Sequence, residues 1–101
     1  MRNPLEKEIE GKLRKAVKMR GGVCLKWVCP GWSGVPDRIV LLPGGRVLFV
    51  ETKRPQGATL ARLQEWWRGQ LINLGFHACI VYTEADLATL LIVIDEMLER
   101  K

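Results

Sequence analysis

The stretch that decides the fold is residues 34–53, GVPDRIVLLPGGRVLFVETK, a Gly-Val-Pro-Asp turn, an apolar run, a Gly-Gly turn and a second apolar run ending Glu-Thr-Lys. The runs Ile39–Leu42 and Val47–Val50 show no alternation of apolar and polar residues, which predicts strands covered on both faces. Pairing them antiparallel about Gly44 and Gly45 brings Asp37, at the start of the first run, to Glu51 and Lys53, at the end of the second. Two acids with a cation beside them are the arrangement of a divalent-metal site. Each residue alone reads equally as a solvated strand end, so the inference rests on the three together.

The turn decides whether the site can form. A two-residue Gly44-Gly45 loop would set Asp37 opposite Thr52 and turn Glu51 and Lys53 to the other face. Common facing therefore predicts a three- or five-residue loop, a bulge, or irregular backbone at Asp37 enforced by Pro36.

Outward from this hairpin, a helix is expected from Asn3-Pro4, with Glu6 placed to close a capping box, to about Met19. Leu5, Ile9, Leu13, Ala16 and Val17 form its apolar stripe, and Glu6 and Glu10 lie one turn apart on the border, where either could reach the strand ends. Gly21-Gly22 ends the helix and a strand is expected over Val23–Cys29, followed by the loop Pro30-Gly31-Trp32-Ser33-Gly34. Trp32 has two readings: a stacking surface for nucleic acid beside the site, or a ring folded back on the core.

Beyond the hairpin, Arg54-Pro55-Gln56-Gly57 breaks the chain and Thr59 is the expected cap of a second helix to Leu74, closed by Gly75. Its stripe is Leu60, Leu63, Trp67, Leu71 and Leu74, with Gln64 on the edge. A strand over Phe76–Thr83 and a last helix to about Arg100, started by Thr83 and Asp86, complete the order. Leu91 to Ile94 point in nearly every direction, so the last helix is either sandwiched within the monomer or a surface for self-association, with Trp66 helping.

Composition sets the outer bounds. The 101 residues suit one domain, 1–101, with a single core. No apolar stretch is long enough for a membrane span, which gives a cytoplasmic expectation. Three cysteines without a Cys-x-x-Cys pair and one histidine, His77, argue against zinc and against a disulfide framework. Twelve Lys/Arg against five Asp/Glu in residues 1–54 give +7, while residues 55–101 carry −2. Lys7, Lys12, Arg14, Lys15, Lys18 and Arg20 on the first helix, with Arg38, Arg46 and Arg54 near the hairpin, would suit a phosphate backbone.

The order helix, three strands, helix, strand, helix, with Pro36-Asp37 and Glu51-Thr52-Lys53, resembles the PD-(D/E)xK nuclease superfamily. Gly34 to Arg38, Gly44-Gly45-Arg46, Phe49 to Lys53, Gln64 and Leu71 to Gly75 narrow the resemblance to the VRR-NUC family over nearly the whole chain. That resemblance implies an α/β restriction-endonuclease-like core with a central mixed sheet. It implies a DNA endonuclease using Mg²⁺ or Mn²⁺, with Asp37, Glu51 and the main-chain carbonyl of Thr52 as metal ligands. Lys53 would be the catalytic lysine, Gln64 the accessory glutamine, and Glu6, ahead of Glu10, the first-helix acid.

Short stand-alone members occur in phages and are similar to dimeric Holliday-junction resolvases, which implies branched DNA as substrate and a homodimer, in the host cytoplasm if the chain is phage-encoded. The rival readings are a flap, nick or duplex nuclease, and an inert nucleic-acid-binding module. Acids aimed at phosphate weigh against the inert module.

Overall fold

The computed structural model describes residues 4–100. The chain forms α1 (Pro4–Met19), β1 (Val23–Lys26), β2 (Arg38–Leu42), β3 (Arg46–Glu51), α2 (Ala58–Asn73), β4 (His77–Ile80) and α3 (Glu84–Glu99), the order expected from the sequence. The sheet runs β1-β2-β3-β4, with β1/β2 and β2/β3 antiparallel and β3/β4 parallel. It is a mixed four-stranded α/β sheet, as expected. The parallel β3/β4 pair needs a crossover, which α2 provides.

Both faces of the central strands are covered. Val40, Leu42, Leu48 and Val50 face Ile9, Leu13 and Val17 of α1 and Leu87, Leu90 and Ile94 of α3. The alternate residues Ile39, Val47 and Phe49 meet Leu71 of α2 and Ala78 of β4, and the Phe49 ring packs between Trp27 and Phe76 at 4.6 and 5.3 Å. A pleat with apolar residues on both sides accounts for the unalternating runs.

Several boundaries differ from the sequence expectation. The first strand stops at Lys26 and the fourth runs from His77 to Ile80, each shorter than expected. Gly57, not Thr59, is the cap of α2; its φ of 98° is open to glycine, and no side chain caps that end. Asn3 lies outside the described residues, so its capping expectation does too. The capping box at α3 forms as read, with Thr83 accepting from the Asp86 amide at 3.1 Å and Asp86 accepting from the Thr83 amide at 3.1 Å.

The apolar stripes are narrower than their spacing suggests. Leu5 in the first turn of α1 is 51% exposed and Leu74, the residue after α2, is 72% exposed. On α3 the surplus is spent inside the molecule: Leu91, Met97 and Leu98 pack on the core and only Ile92 among its large apolar residues is exposed. Exposed apolar surface lies elsewhere, on Val23, Leu25 and Leu41 of the β1/β2 face that α2 leaves uncovered and on Leu63, Trp66 and Ile72 of α2.

Gly22 shows how tightly the first connection is made. Its amide donates to the Val17 carbonyl at 3.0 Å, and a Cβ there would sit 2.5 Å from the Leu41 carbonyl oxygen. Gly22→Ala is expected to lower stability by about 2 kcal/mol, read by urea denaturation. An unchanged midpoint would show that β1 can shift away from β2.

Candidate active site

The β2/β3 register pairs Arg38 with Val50 and Leu42 with Arg46, leaving the three-residue loop Pro43-Gly44-Gly45. Gly44 and Gly45 both have positive φ, 84° and 73°, as such a loop requires. One step beyond the last pair, this register sets Asp37 opposite Glu51, so the odd-numbered Asp37, Glu51 and Lys53 share the face toward α2. The odd-length turn thus resolves the facing problem that a two-residue loop would have created.

Asp37 is held from two sides. Its carbonyl accepts from the Trp27 amide at 2.9 Å, extending the β1/β2 ladder past the end of β1. Its Oδ1 accepts from the Thr52 amide at 2.7 Å and its Oδ2 from the Thr52 hydroxyl at 2.6 Å. Each carboxylate oxygen carries a second lone pair, so this clamp orients Asp37 and leaves acceptor capacity for a cation. Thr52 is fully buried and Glu51 is 5% exposed, its carbonyl accepting from the Val81 amide at 2.8 Å.

The acid pair is electrostatically unsettled. Burial, then the charge of Asp37 and a hydrogen bond to it, push the Glu51 carboxyl up to about 8, against the favourable charges of Arg68 and Lys53. Glu51 therefore favours the folded protein while protonated and loses that contribution as pH rises through about 8. Without added metal, Glu51→Gln is expected to raise stability by about 2–4 kcal/mol at pH 9 and to change it little near pH 4. Thermal melts in chelator across this range check it; equal midpoints at pH 9 would contradict it.

A cleft of about 830 Å³ opens over these groups, and Glu6, Asp37, Glu51, Lys53 and Gln64 all line it, with Gly34, Arg54 and Leu60 among the others. The five side chains come from α1, the β2 approach, the end of β3 and α2. Glu6 reaches across to accept from the Arg54 amide at 3.4 Å. Glu10, the alternative acid, is 3% exposed and forms an ion pair with the guanidinium of Arg38, itself 6% exposed. A smaller cavity of about 80 Å³ behind the site is lined by Glu10, Arg38, Asp37 and Lys53, so the pair backs the site.

Among the described residues no three His, Cys, Asp or Glu side chains converge in one cage. The carboxylates of Asp37 and Glu51 are hard-oxygen donors of the kind a hard divalent cation takes, and a divalent charge beside them would relieve the raised Glu51. The cysteines do not compete: Cys24, Cys29 and Cys79 are free thiols, and burial pushes Cys24 and Cys79 up to about 11.

The basic surface differs from its sequence outline. Arg38 is buried against Glu10, Arg20 pairs with Asp95 at 2.6 Å, Lys12 pairs with Glu8 and Glu84, and Arg46 donates to the Pro43 carbonyl at 2.8 Å. Lys53 and Arg54 bring positive charge into the cleft itself. Arg54, 4.7 Å from the Tyr82 ring centroid, was read only as part of a general basic cluster. Arg68, whose charge acts on Glu51, was missed; it stands one helical turn after Gln64, and that spacing was the available signal.

No protein-family model matches the chain. It is similar to "Putative nuclease p44" of Acyrthosiphon pisum secondary endosymbiont phage 1, at 42% identity over 92 residues, covering 90% of this chain and 96% of the relative. A solved structure described as "VRR_NUC domain" superposes with a TM-score of 0.69 at 21% identity, covering 97% of this chain and 98% of the other, a likeness of fold. With Asp37 and Glu51-Thr52-Lys53 at the strand ends of a VRR_NUC-domain fold, and a phage relative named as a nuclease matched over nearly its whole length, the chain belongs to the family of that phage relative.

Proposed function

We propose that the chain is a Mg²⁺- or Mn²⁺-dependent endodeoxyribonuclease that hydrolyses phosphodiester bonds in branched DNA such as Holliday junctions. The observation that carries this reading is the placement of Asp37 and Glu51 side by side in one cleft with Lys53. Phage context supports it through the relative named as a nuclease.

Asp37 and Glu51 would hold the ion, with the Thr52 carbonyl as a third oxygen. When bound, the ion supplies charge neutralisation for the phosphate and makes a water proton easier to remove. Thr52 keeps Asp37 in place by its amide and hydroxyl, so the carboxylate need not reorganise when substrate arrives. Lys53 provides a cationic donor toward the phosphate or the attacking water. Gln64 faces the same space from α2, where its amide can hold a water or a phosphate oxygen, and Glu6 offers an acceptor from α1.

A homodimer would set two such clefts on opposed strands of a junction. Val23, Leu25 and Leu41, exposed on the uncovered sheet face, offer apolar area for it, whereas α3 retains only Ile92.

The test is cleavage of synthetic four-way junctions, flaps and linear duplex of matched sequence with Mg²⁺ or Mn²⁺. Preferred cleavage of the junction by symmetric incisions is expected. Equal rates on all three would remove the junction preference, and binding without cleavage would favour an inert module. Lys53→Ala is expected to lower the junction rate roughly 10²-fold, the loss typical of one preorganised donor, while still binding Mn²⁺.

A further inference from the structure

Trp32 and Trp66 are 64% and 54% exposed, although large aromatic side chains gain from burial. Neither is loose. The Trp32 ring meets Trp67 edge to face at 5.8 Å and 85°, and Trp66 meets Trp67 at 5.0 Å and 82°. Trp67 is pinned by its indole N–H, which donates to the Ser33 carbonyl at 3.1 Å. The loop carrying Trp32 is pressed onto α2: a Cβ on Gly34 would lie 2.6 Å from Leu63 Cβ and 3.1 Å from the Gln64 amide nitrogen.

The cluster adjoins the cleft along the chain. Gly34 and Gln64 both line it; Trp32 precedes Gly34 by two residues and Trp67 follows Gln64 by three. A rigid aromatic surface beside a phosphate-binding cleft matches how single-stranded nucleic acid is held, by cations on the backbone and rings on the bases. Here Lys53 and Arg54 are the cations. Bases inside an intact duplex are stacked on both faces and offer no ring to a tryptophan. A base at a fork, a nick or a branch point does.

We propose that Trp32, buttressed by Trp67 and flanked by Trp66, stacks on an unpaired base next to the scissile phosphate. This rests on the nuclease reading above and adds a selecting element to it: DNA whose helix is interrupted beside the cut is bound more tightly than continuous duplex.

The experiment compares wild type, Trp32→Ala and Trp32→Phe on a forked DNA and a fully paired duplex of the same sequence, by steady-state cleavage and by fluorescence anisotropy in Ca²⁺. Base stacking on an aromatic ring is worth about 1–3 kcal/mol, or roughly 5- to 150-fold. Trp32→Ala is expected to weaken fork binding and raise its KM by at least about fivefold more than for duplex, with a smaller change in kcat. Trp32→Phe should recover most of the loss, and thermal melting should show all three proteins folded.

Equal losses on the two DNAs, no loss on the fork, or no recovery with Phe would overturn the proposal. So would a loss accompanied by a change from dimer to monomer in sedimentation, which would make Trp32 a subunit contact. If wild type binds the fork but cleaves neither DNA, the nuclease reading falls and the anisotropy ratio still decides the stacking. If it binds neither DNA, both fall.

Discussion

Asp37→Asn is expected to lower the cleavage rate by roughly 10³-fold or more, with little change in the fold. The substitution keeps the shape and hydrogen-bonding reach of the side chain but removes one of the two charges that face a cation. Loss of about 4 kcal/mol of charge stabilisation in the transition state corresponds to three orders of magnitude in rate. Asn can still accept from the Thr52 hydroxyl or amide, which hold Asp37 at 2.6 and 2.7 Å, so the local backbone is expected to stay. Removing the Asp37 charge also relieves Glu51, whose carboxyl it helps push up to about 8. Single-turnover cleavage beside thermal melting checks both halves; loss of activity together with loss of the melting transition would mean that Asp37 is needed for folding instead.

The second large effect is on stability. Arg38 and Glu10 are 6% and 3% exposed and paired with each other, joining α1 to β2 one residue from Asp37. Breaking a buried ion pair by removing one partner costs about 3–5 kcal/mol, since the remaining charge stays in a poorly solvating interior. Arg38→Ala or Glu10→Ala is therefore expected to remove a large share of the ~5–15 kcal/mol that holds a domain of this kind together. The double variant Glu10→Leu/Arg38→Met should lose clearly less than the two single losses added together. Urea denaturation of the four proteins tests this, and additive single losses below about 1 kcal/mol would contradict it.

How much of this was legible beforehand depended on the kind of signal. The hairpin was readable because its apolar runs are unbroken and its charges sit at both ends of one register. Requiring Asp37, Glu51 and Lys53 to share a face already excluded the two-residue turn, and the loop is Pro43-Gly44-Gly45. Glu6 and Glu10, one turn apart on α1, could not be told apart from spacing. Their difference comes from Arg38, whose inward turn is set by strand parity: it lies on the face of Val40 and Leu42, toward α1.

Long-range partners were the least legible. Lys12 and Arg20 read as part of a phosphate-binding face, yet they meet Glu84 and Asp95 of α3, more than seventy residues away. The apolar surplus of α3 suggested self-association because periodicity does not tell which neighbours will cover a helix. In the fold, the sheet and α1 cover most of it, and the uncovered surface falls on β1 and the outer side of α2. Of the two readings of Trp32, a stacking surface or a ring folded back on the core, the second does not hold: the ring rests against Trp67 and is still 64% exposed.

The central claim is that Asp37 and Glu51 together hold a divalent ion on which cleavage depends. Calorimetric titration of Mn²⁺ at pH 8 tests it most directly, run on wild type, Asp37→Asn, Glu51→Gln and Lys53→Ala. Saturable binding by wild type and Lys53→Ala, lost in Asp37→Asn and Glu51→Gln, is the predicted result. Equal binding by all four proteins, or no binding by a wild type that cleaves DNA in chelator, would contradict it.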